Sequence, residues 1–159
     1  MMPRLMILAL LLAAPAPAPD APAGRPEGPK PDLTPEQVVR AQLDALKHND
    51  DPREDAGIAA AFAFASPENR KTTGPLERFA KMVKGPQYRT MIGHTSAEYG
   101  PMMVTADKLA AQSVKVVGAG GETVEYMFIL SKDAKTGCWM TDGVAVLPPP
   151  SVKKRRQEA

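Results

Sequence analysis

Apolar positions recur with a helical period over the first half of the central chain and with a period of two over the second. The stretch LTPEQVVRAQLDAL carries the clearest helical signal. Thr34 reads as the N-cap, Pro35 as the first helical residue, and Gln37 closes a capping box. Leu33 and Val38 take the two positions of a hydrophobic staple, and Val39, Leu43 and Leu46 follow on one face. Pro52 in HNDDP stops this helix. A second helix is expected after Asp55 as its cap, with Ile58, Phe62 and Ala65 as its buried stripe. A third is expected after Gly74-Pro75, with Leu76, Phe79 and Val83 facing the core and Gly85-Pro86 ending it. Ser66-Pro67 also has the form of a helix start, and SPENRKTTG reads as the turn that joins the helices.

Beyond Pro86 the period shortens. Tyr88, Thr90 and Ile92 alternate with Arg89 and Met91, which predicts a first strand with His94 in or near it. Further strands are expected at about 109–117, 123–131 and 138–147, separated by the hairpin turns GAGG and DAKTG. Helices followed by an antiparallel meander define an α+β order. The expected architecture is N-terminal helices packed on the concave face of a curved antiparallel sheet, a cone with a pocket at its mouth. In the last strand a period of two sets Trp139, Thr141 and Gly143 against Cys138, Met140, Asp142 and Val144.

Proline placement fixes the domain limits. Of 17 prolines, eight precede residue 33 and three are Pro148, Pro149 and Pro150. One domain is therefore expected at 33–147, long enough for a single core. Residues 1–23 have the form of a signal peptide: Arg4, an apolar run from Leu5 to Ala14, then small residues, with Ala21-Pro22-Ala23 as the favoured cleavage site. The run is too short for a membrane span, and the mature chain is expected to be exported, to the periplasm or the cell exterior, with no transmembrane segment. Residues 24–32 read as a Pro-rich tether and 148–159 as a basic tail holding Lys153-Lys154-Arg155-Arg156.

The charge balance narrows the range of partners. The whole chain is formally +2, but residues 33–147 hold 13 basic and 14 acidic side chains. The domain body is near neutral, which argues against nucleic acid as a partner. The sole cysteine, Cys138, excludes an intramolecular disulfide and a cysteine-rich zinc site, and its apolar neighbours make it a buried strand residue.

Two stretches, FAFASPENRKTTGPLERFAKMVKGPQY and GCWMTDGVAVLPP, resemble a family of bacterial and plant domains of unknown function. The resemblance spans roughly residues 33–147. It implies the cone-shaped fold of nuclear-transport-factor-2-like domains, which ketosteroid isomerases and polyketide cyclases also use. It brings no characterised site, and catalysis in relatives does not transfer with a fold.

Candidate chemistry is sparse. With two histidines, His48 and His94, and no His-Glu-x-x-His spacing, no metal or other cofactor is expected. Inside a cone, His94, Glu98, Tyr99, Tyr126 and Asp142 could converge as an acid–base set on a small ligand. The alternative makes Asp142-Gly143 a bulge or turn and His94 a strand-edge residue. Arg70 and Lys71, before the helix start at Gly74-Pro75, could hold an anion, or Asn69 and Thr73 could close a plain loop. The reading favoured by the residues is a non-catalytic ligand-binding or interaction module for a small, partly apolar molecule. Its alternative is a small isomerase, lyase or hydrolase. The solvent face of the sheet is a candidate homodimer surface.

Overall fold

The structure is a computed structural model and describes residues 27–150. The expected signal segment, the start of the tether and the basic run of the tail lie outside the described residues. Four helices, α1 (Pro35–Lys47), α2 (Ala56–Ala63), α3 (Pro67–Thr73) and α4 (Leu76–Val83), precede five strands. The strands are β1 (Ser96–Tyr99), β2 (Met103–Thr105), β3 (Leu109–Val117), β4 (Thr123–Lys132) and β5 (Trp139–Leu147). All pairings between them are antiparallel and the sheet is open, in the order β1-β3-β4-β5. The short β2 also pairs with β3, beyond the break that Gly100-Pro101 makes in the edge. The α+β class is as expected.

Helix α1 begins as its sequence dictates. The Thr34 hydroxyl accepts from the Gln37 amide, and the Gln37 side chain accepts from the Thr34 amide at 2.8 Å. Val38, Val39, Leu43 and Leu46 are buried against Ile58, Val114, Tyr126 and Phe128. Of the expected tether, residues 30–33 form a turn closed by the Leu33 N–H to the Lys30 carbonyl. A Cβ on Gly28 would stand 4.0 Å from that of Ala63, so this end lies against α2.

Four local expectations are corrected. Asp55 precedes α2 but does not cap it, because its φ of 59° turns the carboxylate away. Asn49 caps instead, its Oδ1 accepting from the Ile58 N–H at 3.0 Å. The stripe Ile58–Phe62–Ala65 stops being helical at Ala63. Phe64 is the fully buried aromatic, and Phe62 is half-buried against Phe79 with ring centroids 4.9 Å apart. SPENRKTTG is not a turn. Ser66 caps α3 by accepting from the Asn69 N–H, and Pro67 opens it. Finally, Arg89–Met91 form a 3-10 turn rather than a strand, with Thr90 and Met91 both buried. Five alternating residues do not separate a strand from a tight helical turn, and Gly85-Pro86 begins a chain of turns in which Gly85 accepts from both Tyr88 and Arg89.

The segment after α2 joins the helical layer to the sheet. Ala65 bridges Thr141 in parallel. The Thr141 N–H donates to the Phe64 carbonyl at 2.8 Å, and the Ser66 N–H donates to the Thr141 carbonyl at 2.9 Å. Deep between the layers, the Thr141 hydroxyl donates to Gln42 Oε1 at 2.6 Å while Gln42 Nε2 donates to the Ala61 carbonyl. Both side chains are buried, so each must find its partner inside.

Candidate functional site

Between the helices and the inner face of β4 and β5 lies a cavity of about 250 Å³. Leu46, Val83, Met91 and Phe128 form its buried floor, and Phe79 and Met82 its half-buried wall. Its polar lining comes from Gln42, Asn69, Thr72, Thr73, Tyr88 and Asp142. Thr72 and Asp142 are exposed, so the polar groups gather at the mouth and the apolar ones lie deep.

The mouth is built from α3 and a bulge in β5. Asn69 lies one turn before Thr73, so the two side chains share a helix face. Asn69 Nδ2 donates to the Thr141 carbonyl at 2.9 Å, which ties α3 to β5. The Thr72 and Thr73 hydroxyls each donate to the Asn69 carbonyl at 2.9 Å. On the sheet side Leu130 pairs with Thr141 and Ile129 with Gly143, so Asp142 is the extra residue between them. Asp142 Oδ1 accepts from the Ser131 hydroxyl at 2.9 Å. The bulge also resets the alternation. Val144 pairs with Phe128 and faces inward, although Thr141, three residues earlier, does so too. Tyr88 closes one side of the cavity, its hydroxyl donating to the Val144 carbonyl at 3.0 Å.

Of the four pocket candidates read from the sequence, Asp142 lines this cavity; His94, Tyr99 and Tyr126 are not among its lining residues. His94 is buried after the 3-10 turn, with Nδ1 donating to the Met91 carbonyl at 2.8 Å. Burial holds its pKa below the usual histidine value, only partly offset by that bond; Lys47 and His48 lower it further and Asp44 raises it. Tyr99 sits on β1 under the Arg40 guanidinium, 3.9 Å from the ring centroid, and burial raises its pKa. Tyr126 is fully buried and donates to the Gln87 carbonyl at 2.9 Å; burial raises its pKa as well. Glu98 faces solvent on β1, opposite Lys115. The expected convergence fails because strand pairing spreads these side chains along the sheet, and His94 precedes the sheet altogether.

The basic connector is also spent internally. Arg70 Nε donates to the Ala65 carbonyl at 3.0 Å and Nη2 to the Ala63 carbonyl at 2.8 Å, with the guanidinium 5.2 Å from the Phe62 ring centroid. The Ala63 carbonyl is an orphan of the end of α2, and Ala65 lies just beyond its cap Phe64. Lys71 pairs with Glu68 on its own helix. Arg70 thus clamps the end of α2, and Lys71 takes part in a surface ion pair. Sequence reading missed Asn69, Thr72, Thr73, Tyr88 and Gln42 as lining residues; the one available signal was the Asn69–Thr73 spacing within a segment taken for a turn. Among the described residues no cluster of three or more His, Cys, Asp or Glu could hold a metal ion. No described helix is long and apolar enough to cross a membrane.

An open antiparallel sheet covered on one face by four helices, with a part-polar cavity between the layers, is the class the geometry defines. Residues 30–154 match the family described as "Domain of unknown function (DUF4864)", and the chain belongs to that family. Neither the search of curated proteins nor the search of solved structures found a match.

Proposed function

We propose that this domain is an exported, non-catalytic binding module that holds a small, partly apolar molecule in the cavity between its helices and its sheet. The observation that carries this reading is the lining itself: an apolar floor of Leu46, Val83, Met91 and Phe128 under a rim of oriented polar groups. Small-molecule sites have this composition, a mostly apolar wall with a few placed polar groups. Asp142 stands at the mouth without His94, Tyr99 or Tyr126 beside it in the lining, which weighs against the acid–base enzyme alternative. The layering of helices on one sheet face accords with the cone of nuclear-transport-factor-2-like domains, and we extend the reading to that fold.

Titration with 1-hexanol, followed by amide chemical shifts, tests the binding reading. Shifts confined to Phe79, Met82, Tyr88, Asp142 and Val144 are expected. Shifts absent at millimolar alcohol, or scattered over the outer sheet face, would refute it. Export rests on Arg4, the apolar run that follows it and Ala21-Pro22-Ala23. Protein isolated from its native host should begin near Gly24, and an intact Met1 would overturn that part. The solvent face of the sheet carries Ala111, Met127, Ile129 and Ala145 in neighbouring pairs, an apolar patch suited to a homodimer. Light scattering at micromolar concentration that shows only monomer would remove the dimer.

A further inference from the structure

The cavity's hydrogen-bonding valences are unevenly spent. The hydroxyls of Thr72 and Thr73 donate to the Asn69 carbonyl, and that of Tyr88 donates to the Val144 carbonyl. A hydroxyl has one proton and two lone pairs, so all three present acceptors to the cavity. Gln42 and Asn69 have each committed one N–H to a backbone carbonyl, Ala61 and Thr141 respectively, and keep one. The Ser131 hydroxyl occupies Asp142 Oδ1; among the described residues no protein donor engages Oδ2. The lining contains no Lys, Arg or His, so Asp142 supplies its only formal charge. Arg70 and Lys71, the basic residues of the helix that builds the mouth, are committed to the Ala63 and Ala65 carbonyls and to Glu68.

We infer that the ligand is a cationic amphiphile: a protonated amine on a short apolar body, with the ammonium at the mouth against Asp142 Oδ2 and the hydrocarbon on the Met91–Phe128 floor. This rests on the binding reading given above and adds the chemistry of the head group. An ammonium has three donors and no acceptor, the complement of a rim of lone pairs and one carboxylate. A carboxylate ligand would meet like charge and spent hydroxyls, with only the remaining N–H of Gln42 and of Asn69 to receive it. Size agrees. A dry cavity of about 150 Å³ takes benzene, so roughly ten heavy atoms fit in this one.

Three probes with one tail separate the head from the cavity: hexylammonium, 1-hexanol and hexanoate, titrated calorimetrically into the full chain at pH 7. Hexylammonium should bind at least about tenfold tighter than hexanoate, with hexanol between them, since a partly solvated charge contributes attraction for one head and repulsion for the other. In Asp142→Asn, which retains an acceptor for Ser131, the advantage of hexylammonium over hexanol should disappear. Equal affinity for the three probes, or tightest binding of hexanoate, would overturn the cationic head and leave the cavity as a binding site. Failure of all three to bind, or binding untouched by Thr72→Trp at the mouth, would overturn the cavity reading and this inference with it.

Discussion

Replacing Asn49 by alanine tests how α2 is held. The first turn of a helix has amides with no intrahelical acceptor, and here each has an outside one. Ala56 N–H donates to the Arg53 carbonyl, Gly57 N–H to the Asn49 carbonyl, and Ile58 N–H to Asn49 Oδ1 at 3.0 Å. Asn49 Nδ2 also donates to Asp50 Oδ1 at 2.8 Å and Asp55 Oδ1 at 3.1 Å, so one side chain organises the loop and the helix start. Ile58 is wholly buried, and in Asn49→Ala its amide would have neither protein partner nor water. An orphaned buried donor costs ~1–3 kcal/mol, a range that includes the usual loss of a cap. At ~2 kcal/mol, with roughly 4 °C per kcal/mol for a domain of this size, the melting temperature should drop by ~8 °C. Asp55→Gly is the control. It removes a half-exposed ion pair with Lys84, worth ~0–1 kcal/mol, and one of the two acceptors of Asn49 Nδ2, which keeps Asp50 Oδ1; it relieves the left-handed backbone at φ 59°, worth ~1 kcal/mol. Its melting temperature should stay within ~3 °C of wild type. If Asp55→Gly loses as much as Asn49→Ala, Asp55 is the cap after all and the assignment of Asn49 is wrong.

Gly57→Ala should be among the most damaging small changes: a methyl there runs into the Ala45 carbonyl oxygen and stands 2.7 Å from the Asn49 Cα, so the helices must part, at ~3 kcal/mol in a denaturant titration. Thr141→Val strands Gln42 Oε1 in the core and should cost ~1–3 kcal/mol, whereas adding Gln42→Leu should recover part of the loss; a purely additive double mutant would deny the coupling. His94 is held below its ordinary pKa by burial, so the unfolded chain binds the proton more readily. Stability is therefore complete well above pH 6.5 and falls as pH drops through that value toward the lower folded one; denaturation midpoints at pH 7.5, 6 and 5 should fall less steeply in His94→Gln than in wild type, and parallel profiles would refute the assignment.

The elements that could be read from the sequence are those whose cause is local and repeated. Thr34-Pro35 with Gln37 specifies a helix start through bonds within four residues, and β3 and β4 each sustain alternation over nine or ten residues. What failed was short or non-local. Strand β2 has three residues, too few to show a period, and exists because Met103–Thr105 lie beside β3. Nothing near Asp55 in the sequence announces that Asn49, six residues back, takes over its role. The 3-10 turn at Arg89–Met91 buries two consecutive side chains, which no strand on a half-exposed sheet would do, but five residues of alternation conceal it.

The site fails to be legible for a related reason. Counting by twos along β5 places Asp142 with Met140 and Val144, opposite Thr141, and so offers either a buried acid or a solvent-facing one. The bulge makes both counts inapplicable. Because Asp142 is the extra residue between two paired ones, it does not belong to either face, and the strand beyond it is shifted by one. That shift turns Val144 inward, where it meets Phe128 and offers its carbonyl to Tyr88. It also leaves Asp142 at the rim, beside the α3 face of Asn69 and Thr73. One inserted residue thus supplies the apolar wall and the charged mouth together. Inserting one alanine between Gly143 and Val144 would move Val144 off its partner Phe128 and turn it to the outer face. It should cost far more stability than Asp142→Asn, which changes the charge and keeps the register. Equal stability of the two variants would mean the register beyond the bulge is incidental to the fold. A large gap would mean the register that shapes the cavity is independent of the charge that guards it.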